Sequence, residues 1–265
     1  MEAIHCLGGA GTFSHQAALA YAPDRMPVFS PNLEEVIKSV RRSGAFGIVP
    51  LENSTTGLIR PVIDSLLLGD CQIVGDYKLQ IDHMLVSLNC MSVEDIEMVY
   101  VQREAHDQCK SFLARMKVPV ILTDSTALAL KSLSDNPVLC AAITTEHCYR
   151  GGSYRLLEKN IQNYQVNQTR FVTIARGRAV ELTHGVCMLT FELNHTVGAL
   201  SNLLAPLALL NVNILAIHSR PHPYKLGEYR FYIELDIPNG SDVQEVVGVF
   251  EENCVDTKIL GCLKK

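Results

Sequence analysis

A chain of 265 residues, 48% hydrophobic and 19% charged, is long enough for two packed cores and ordinary in composition for globular domains. Its 23 Lys and Arg against 28 Asp and Glu leave a net charge of −5, without the basic excess that a nucleic-acid-binding face needs. No stretch approaches the roughly 18 apolar residues of a membrane span, and the first residues lack the basic start and apolar run of a secretory signal, so a cytoplasmic protein is expected.

Residues 3–7 read as an apolar strand, followed by the turn Gly8-Gly9-Ala10-Gly11-Thr12-Phe13-Ser14 and a helical run at 16–20, the opening of an α/β unit. Leu33, Val36, Ile37 and Val40 recur at helical spacing. A strand at 46–49 is expected to stop at Pro50, and a helix carrying Ile59, Ile63, Leu66 and Leu67 follows. Alternating Leu79, Ile81 and Leu85 suggest an extended crossing segment. The α/β rhythm then resumes, with strands at 98–101, 118–122 and 138–143, helices at 105–116 and 125–134, and a last strand at 169–175.

The polar stretch 176–185 closes this larger unit. Beyond it Cys187, Leu189, Phe191 and Leu193 alternate as in a half-buried strand, and Leu200, Leu203, Leu204 and Leu207 follow helical spacing around Pro206, where a kink is expected. Strands are expected at 213–219, 228–236 and 255–260. Ser241-Asp242-Val243-Gln244 reads as a capping box with Ser241 as the cap, opening a helix that buries Val243, Val246, Val247 and Phe250. The order is βαββαβ, the ferredoxin-like arrangement. Nine cysteines form no Cys-x-x-Cys pair and are expected to stay reduced, packing as small hydrophobes.

Several segments are suited to chemistry. The glycine turn opens a helix, where free amides and the helix dipole favour an anion and Thr12 and Ser14 add hydroxyls; capping by Ser14 alone is the alternative. A dinucleotide fold fits less well, because the spacing is not Gly-x-Gly-x-x-Gly and the following strand ends in Val28-Phe29 rather than an acid. Glu52, Asn53 and Ser54 follow an apolar strand, where open α/β sheets bind ligands, although a solvated loop reads the same way. Asp124-Ser125-Thr126-Ala127 is a second helix start, for an anion or for capping. Arg170, between Thr169 and Phe171, suits bidentate binding of a carboxylate or a place on the surface. His83 and His106 are isolated acid–base candidates, and His147-Cys148 has no ligand partners at metal spacing.

Taken in order along nearly the whole chain, these segments resemble prephenate dehydratase. The resemblance rests on Gly11-Thr12-Phe13-Ser14 with Gln16-Ala17-Ala18, Val49-Pro50-x-Glu52-Asn53-Ser54-x-x-Gly57, Asp64 and Leu66, Ile81-x-His83-x-Leu85, and Gln108-Cys109. Ser125-Thr126-Ala127, Ala141-Ala142-Ile143 and Asn167-x-Thr169-Arg170-Phe171 continue it. Gly198-Ala199-Leu200 and Ser219-Arg220-Pro221 resemble the two signatures of an ACT domain.

The resemblance implies an α/β fold: a two-lobed, periplasmic-binding-protein-like catalytic domain over 1–178 and a ferredoxin-like ACT regulatory domain over 186–262. The lobes would be roughly 1–78 with 169–178, and 79–168. It implies a carbon–oxygen lyase that converts prephenate to phenylpyruvate in phenylalanine biosynthesis, using no metal and no other cofactor. Thr169, Glu52 and Asn53 would be catalytic, and Thr12, Ser14, Ser54, Gln108, Ser125, Thr126, Arg170 and Phe171 would bind substrate. Gly198, Ala199, Leu200, His218, Ser219, Arg220 and Pro221 would bind L-phenylalanine as effector in a homodimer or homotetramer. Neither nucleic acid nor a membrane is an expected partner.

The chain departs from the family pattern at Gly9, where Pro is usual, at 101–105, where Ser-His-Pro-Gln-Ala is usual, and at His218, where Glu is usual. The 101–104 change leaves arogenate or another cyclohexadienyl acid as alternative substrates. A non-aromatising decarboxylase and a catalytically silent amino-acid sensor are the rival functions. Retention of Glu52, Asn53, Gln108 and Thr169 speaks against the sensor.

Overall fold

A computed structural model describes residues 2–135, 139–149, 153–222, 224–225 and 227–264. The chain begins β1 (Ala3–Leu7), α1 (Phe13–Tyr21), β2 (Met26–Ser30), α2 (Leu33–Ser43), β3 (Phe46–Asn53), β4 (Gly57–Leu58), α3 (Arg60–Leu68) and β5 (Cys71–Gln80). A second stretch holds β6 (Met84–Ser87), β7 (Met98–Gln102), α4 (Arg103–Gln108), α5 (Lys110–Met116) and β8 (Val120–Thr123). It continues with α6 (Thr126–Asp135), β9 (Cys140–Thr144), α7 (Glu146–Tyr149) and β10 (Arg155–Lys159). β11 (Gln168–Arg176) is followed by β12 (Gly185–Glu192), α8 (Ala199–Leu209), β13 (Asn213–Pro221), β14 (Tyr229–Ile237), α9 (Val243–Asn253) and β15 (Asp256–Leu263).

These strands form three sheets. The first has the order β2-β1-β3-β11-β5, with β4 on β3; β1 is parallel to β2 and β3, and β11 is antiparallel to β3 and β5. The second is β10-β6-β9-β7-β8, and the third, fully antiparallel, is β13-β14-β12-β15. The chain passes between the first two sheets twice, after β5 and before β11, and the crossings are tied by Ile81 N–H donating to Asn167 O at 2.7 Å.

The third sheet is covered on one face by α8 and α9, through Leu203, Leu207, Val246 and Phe250. From its other face Met188, Tyr232 and Leu260 enter a common core with Val62, Ile63, Leu66, Val172 and Ile174. Burying both faces of one sheet accounts for the apolar density of β12 and β14, whose inward residues are nearly all inaccessible. No helix among the described residues is long and apolar enough to cross a membrane.

The structure departs from the sequence expectations in definite places. β3 does not stop at Pro50 but runs to Asn53. Phe171 pairs with Pro50 and Arg170 with Glu52, so Leu51 is an extra residue, and this bulge accommodates the missing Pro50 N–H. The helix expected over 105–116 is two, α4 and α5, parted at Cys109. The cap of α9 is Asp242, which accepts from Gln244 N at 2.8 Å, rather than Ser241. A carboxylate is the stronger partner for the positive helix end. Of the strand expected over 138–143, Val138 lies outside the described residues. β10 and α7 were not expected.

Cys187 on β12 and Cys262 on β15 are directly opposed in the register and bring their sulfurs together. Their 75-residue separation has no local signature, so spacing rules for short motifs pass over it. Cys6, Cys71, Cys90, Cys109 and Cys140 are free and buried, as packing residues.

Candidate active site

Strand alternation on β11 sorts the expected site residues onto two faces. Thr169 pairs with Asn53 and Arg170 with Glu52, so each cross-strand pair shares a face and the two pairs face opposite ways. Phe171, on the Thr169 face, is sealed in the core under α1 with Phe13, Ala17 and Ile48. Val172, on the Arg170 face, packs toward α2, α3 and the third sheet.

Thr169 and Asn53 are both buried, and Asn53 Nδ2 donates to Thr169 Oγ1 at 2.9 Å. The turn from β3 to β4 holds the Asn53 side chain: its Oδ1 accepts from the backbone N–H of Thr55 at 2.9 Å and of Thr56 at 3.2 Å. Asn53 Nδ2 also donates to Asn167 Oδ1 at 3.0 Å. Asn167 Nδ2 reaches Gln108 Oε1 at 2.9 Å, and His83 Nε2 meets the same oxygen at 2.7 Å. This chain of polar groups runs from the first sheet to the second beside both crossings. A pocket of about 150 Å³ borders it, lined by Thr55, Thr56, Gln108, Tyr164 and Asn167 among others. A larger hollow of about 280 Å³, beside Arg115 and residues 158–163, contains none of the expected site residues.

Two expectations are corrected by the alternation. Arg170 does not point to this pocket. Its Nε donates to Asp76 Oδ2 at 3.0 Å and its Nη1 to Glu234 Oε2 at 2.5 Å, so the guanidinium joins β11 to β5 and to the third sheet. Glu52 shares that face and lies near Tyr232, whose OH donates to Glu234 Oε1 at 2.7 Å. Burial, then the Glu234 and Glu52 carboxylates, raise the Tyr232 phenol well above its usual range. Glu52 therefore stands on the face opposite Asn53 and Thr169.

The remaining hydroxyls make local bonds. Thr12 caps α1, accepting from His15 N at 3.3 Å and donating to Gly9 O at 2.9 Å. Ser14 is buried in the first turn of that helix. Ser54 Oγ accepts from Gln168 N at 2.9 Å and donates to Val166 O at 3.2 Å, which ties the β3 turn to the second crossing. Ser125 accepts from Leu128 N at 3.1 Å at the start of α6, with Thr126 beside it. The glycine turn also meets the second unit, where Cys148 Sγ donates to Gly11 O at 2.9 Å and Gln16 Nε2 to Thr145 Oγ1 at 3.4 Å.

Asn167 was not among the expected site residues and His83 was named only as an isolated acid–base candidate, although they sit in the motifs Asn-x-Thr-Arg-Phe and Ile-x-His-x-Leu. The His106 ring meets neighbouring Asp107 at 3.3 Å. In the atypical 101–105 segment, Gln102 caps α4 by accepting from Glu104 N and Ala105 N at 3.1 and 3.2 Å. Among the described residues no group of three or more His, Cys, Asp or Glu side chains converges as metal ligands.

A family model described as prephenate dehydratase matches residues 4–179, the stretch that builds the first two sheets. A bifunctional chorismate mutase/prephenate dehydratase of Enterobacter agglomerans is 30% identical over 98% of this chain and 70% of that protein. The crystal structure of prephenate dehydratase from Staphylococcus aureus superposes over 100% of both chains, with a TM-score of 0.88 and 28% identity. Prephenate dehydratase of Arthrobacter aurescens, solved in complex with L-Phe, gives a TM-score of 0.84 at 25% identity, over 98% of this chain and 89% of that one.

Proposed function

The chain belongs to the prephenate dehydratase family, and from that premise we propose that it converts prephenate to phenylpyruvate at the junction of the first two sheets. The ring carboxylate leaves as carbon dioxide, and its bonding pair enters the ring. The hydroxyl on the opposite ring carbon departs with a proton as water, and the ring becomes aromatic. Aromatisation supplies the driving force, so the protein's task is to orient the two carboxylates, assist the leaving hydroxyl and exclude solvent.

The observation that carries this reading is the bond from Asn53 Nδ2 to Thr169 Oγ1. Nδ2 can only donate, so the Thr169 oxygen accepts and its own proton remains available to the departing hydroxyl. A threonine hydroxyl is a weak acid, and donation of a hydrogen bond to the developing charge suits it better than full proton transfer. The Asn53 bond strengthens that donor. With Arg170 and Glu52 on the other face, substrate carboxylates fall to Gln108, which lines the bordering pocket, and to the helix starts at Thr12 and Ser125.

We assign the third sheet with α8 and α9 as an ACT-type regulatory domain that binds phenylalanine in an oligomer. The L-Phe complex of the Arthrobacter relative supports this. So does the placing of the two signatures: Gly198 opens α8 in the left-handed region at φ 83°, and His218, Ser219, Arg220 and Pro221 lie on the edge strand β13. Ala199 and Leu200 form the first turn of α8.

Incubation of purified protein with prephenate, followed by the alkaline absorbance of phenylpyruvate, tests the function. Product formation is expected. Consumption of prephenate without phenylpyruvate would point to a non-aromatising enzyme, and no consumption would overturn the reading.

A further inference from the structure

Asn53 fixes the sense of every hydrogen bond in the polar chain that crosses the junction. Backbone N–H groups only donate, so those of Thr55 and Thr56, at 2.9 and 3.2 Å, identify the accepting atom of Asn53 as Oδ1. Its Nδ2 then donates to the two nearer oxygens, Thr169 Oγ1 and Asn167 Oδ1. With Oδ1 accepting, Asn167 must turn its Nδ2 to Gln108 Oε1. That oxygen takes a second proton from His83 Nε2.

The far end agrees. If His83 carries its proton on Nε2, its Nδ1 is left bare, and Nδ1 is buried without a partner among the described residues. Burial lowers the His83 pKa more than Gln108 and Asp82 raise it, which keeps the ring neutral with a single proton. A reversal at any link would set donor against donor or acceptor against acceptor in a buried place, at a cost of about 1–3 kcal/mol per unsatisfied group.

The ordering leaves two donors over: the Thr169 hydroxyl proton on the first sheet and the Gln108 amide Nε2 on the second unit. Neither has a protein acceptor among the described residues. We propose that Asn167 and His83 are positioning residues, locking the Gln108 amide so that Nε2 is offered to a substrate carboxylate. His83 does not line the pocket, and Asn167, which does, acts through Gln108. The proposal rests on the dehydratase reading for its substrate, but the proton order does not.

Asn167→Asp tests it, since it keeps the side chain's size and removes the donor. Once ionised, the new carboxylate draws Gln108 Nε2 to itself and leaves Oε1 facing the substrate. At pH 8 the KM for prephenate should rise about ten- to hundredfold, the value of a hydrogen bond to a charged group, with kcat changed less. At pH 5, protonation of the new carboxylate restores a donor and KM should return toward wild type. Nearby Asp82, held by Gln162 and Gln80, and Asp107, held by Lys110 and His106, are common to both proteins, so wild type at each pH is the reference. A KM unchanged at pH 8, or raised equally at both pH values, overturns the proposal. The 15N spectrum of the histidine-labelled wild-type chain decides the order without substrate and without the variant: His83 should be protonated on Nε2, and protonation on Nδ1 overturns the relay. Wild type that leaves prephenate untouched overturns the dehydratase reading instead, and the His83 tautomer still decides the relay.

Discussion

Arg170 Nη1 lies 2.5 Å from Glu234 Oε2, and this contact fastens the strand carrying Thr169 to the third sheet. The Glu234 side chain is 3% exposed and the Arg170 side chain 15%, so neither charge has water to fall back on. Removing one partner of a buried pair leaves the other uncompensated, at a cost of about 3–5 kcal/mol. Glu234→Gln should therefore lower stability by an amount near the bottom of that range, since Asp76 still pairs with Arg170 Nε at 3.0 Å. Urea unfolding measures it. A change under about 0.5 kcal/mol, typical of a surface pair, would contradict the burial argument.

Thr169→Val keeps the shape and removes the hydroxyl. Loss of one donor to a developing negative charge typically costs about 10²–10³ in kcat. That loss is expected here with KM within a few-fold of wild type, and Thr169→Ser should retain much of the rate. A Thr169→Val enzyme with near-normal kcat would remove Thr169 from the chemistry.

Much of the site was legible as motifs and much of its geometry was not. Thr169, Arg170 and Phe171 are consecutive, and a motif treats them as one binding unit. The pleat sends Arg170 to Glu234 and Thr169 to Asn53. Alternation along the expected strand at 169–175 already separates the two, but pairing them with Asn53 and Glu52 requires β3 to run through Pro50, which the proline rule argues against and the bulge at Leu51 permits. Asn167 and Asn53 are 114 residues apart and Cys187 and Cys262 75 apart, so no local pattern announces either contact. The βαββαβ order, by contrast, rests on local alternation and helical spacing, and the elements follow it closely.

Stability should fall with acid through His83. Burial lowers its folded pKa from the ordinary 6.5. Below about pH 6.5 the unfolded chain takes up a proton that the folded chain refuses, so the contribution is whole above that pH and is lost as pH falls toward the folded pKa. The slope is at most about 1.4 kcal/mol per pH unit for one group. His5 and His15 are shifted the same way, principally by burial, and add to it. Unfolding free energies between pH 5 and pH 7 should show a shallower slope in His83→Gln than in wild type, and identical slopes would exclude His83 as a contributor.

Gly261 on β15 lies close against the first sheet. A Cβ there would stand 2.2 Å from the Ile73 carbonyl oxygen on β5, and backbone cannot turn aside as a side chain can. Gly261→Ala should push the two sheets apart and cost about 1–3 kcal/mol, the usual range for overpacking. Gly248, on α9, has open space around the same position, so Gly248→Ala serves as the control and should be neutral or slightly stabilising through helix propensity. Equal thermal shifts in the two variants would refute the close-approach account.

Arg220 links the proposed effector site to the catalytic unit. From the edge strand β13 its Nε and Nη2 donate to Asp64 Oδ1 and Oδ2, both at 2.6 Å, and Asp64 belongs to α3. α3 follows β4 and the turn that holds Asn53, so the bridge joins β13 to the element next to the proposed catalytic pair, Asn53 and Thr169. An effector changes activity only through a difference in its affinity for two arrangements of the protein. Asp64→Asn weakens the bridge and releases Arg220, itself in the proposed effector site, while leaving Gly198–Leu200 and Ser219 in place. Calorimetry should find phenylalanine binding retained within a few-fold, while the response of prephenate turnover to phenylalanine is reduced. A variant that binds phenylalanine and responds to it as wild type does would show that the Arg220–Asp64 bridge carries no coupling, whatever its part in holding α3 to the third sheet.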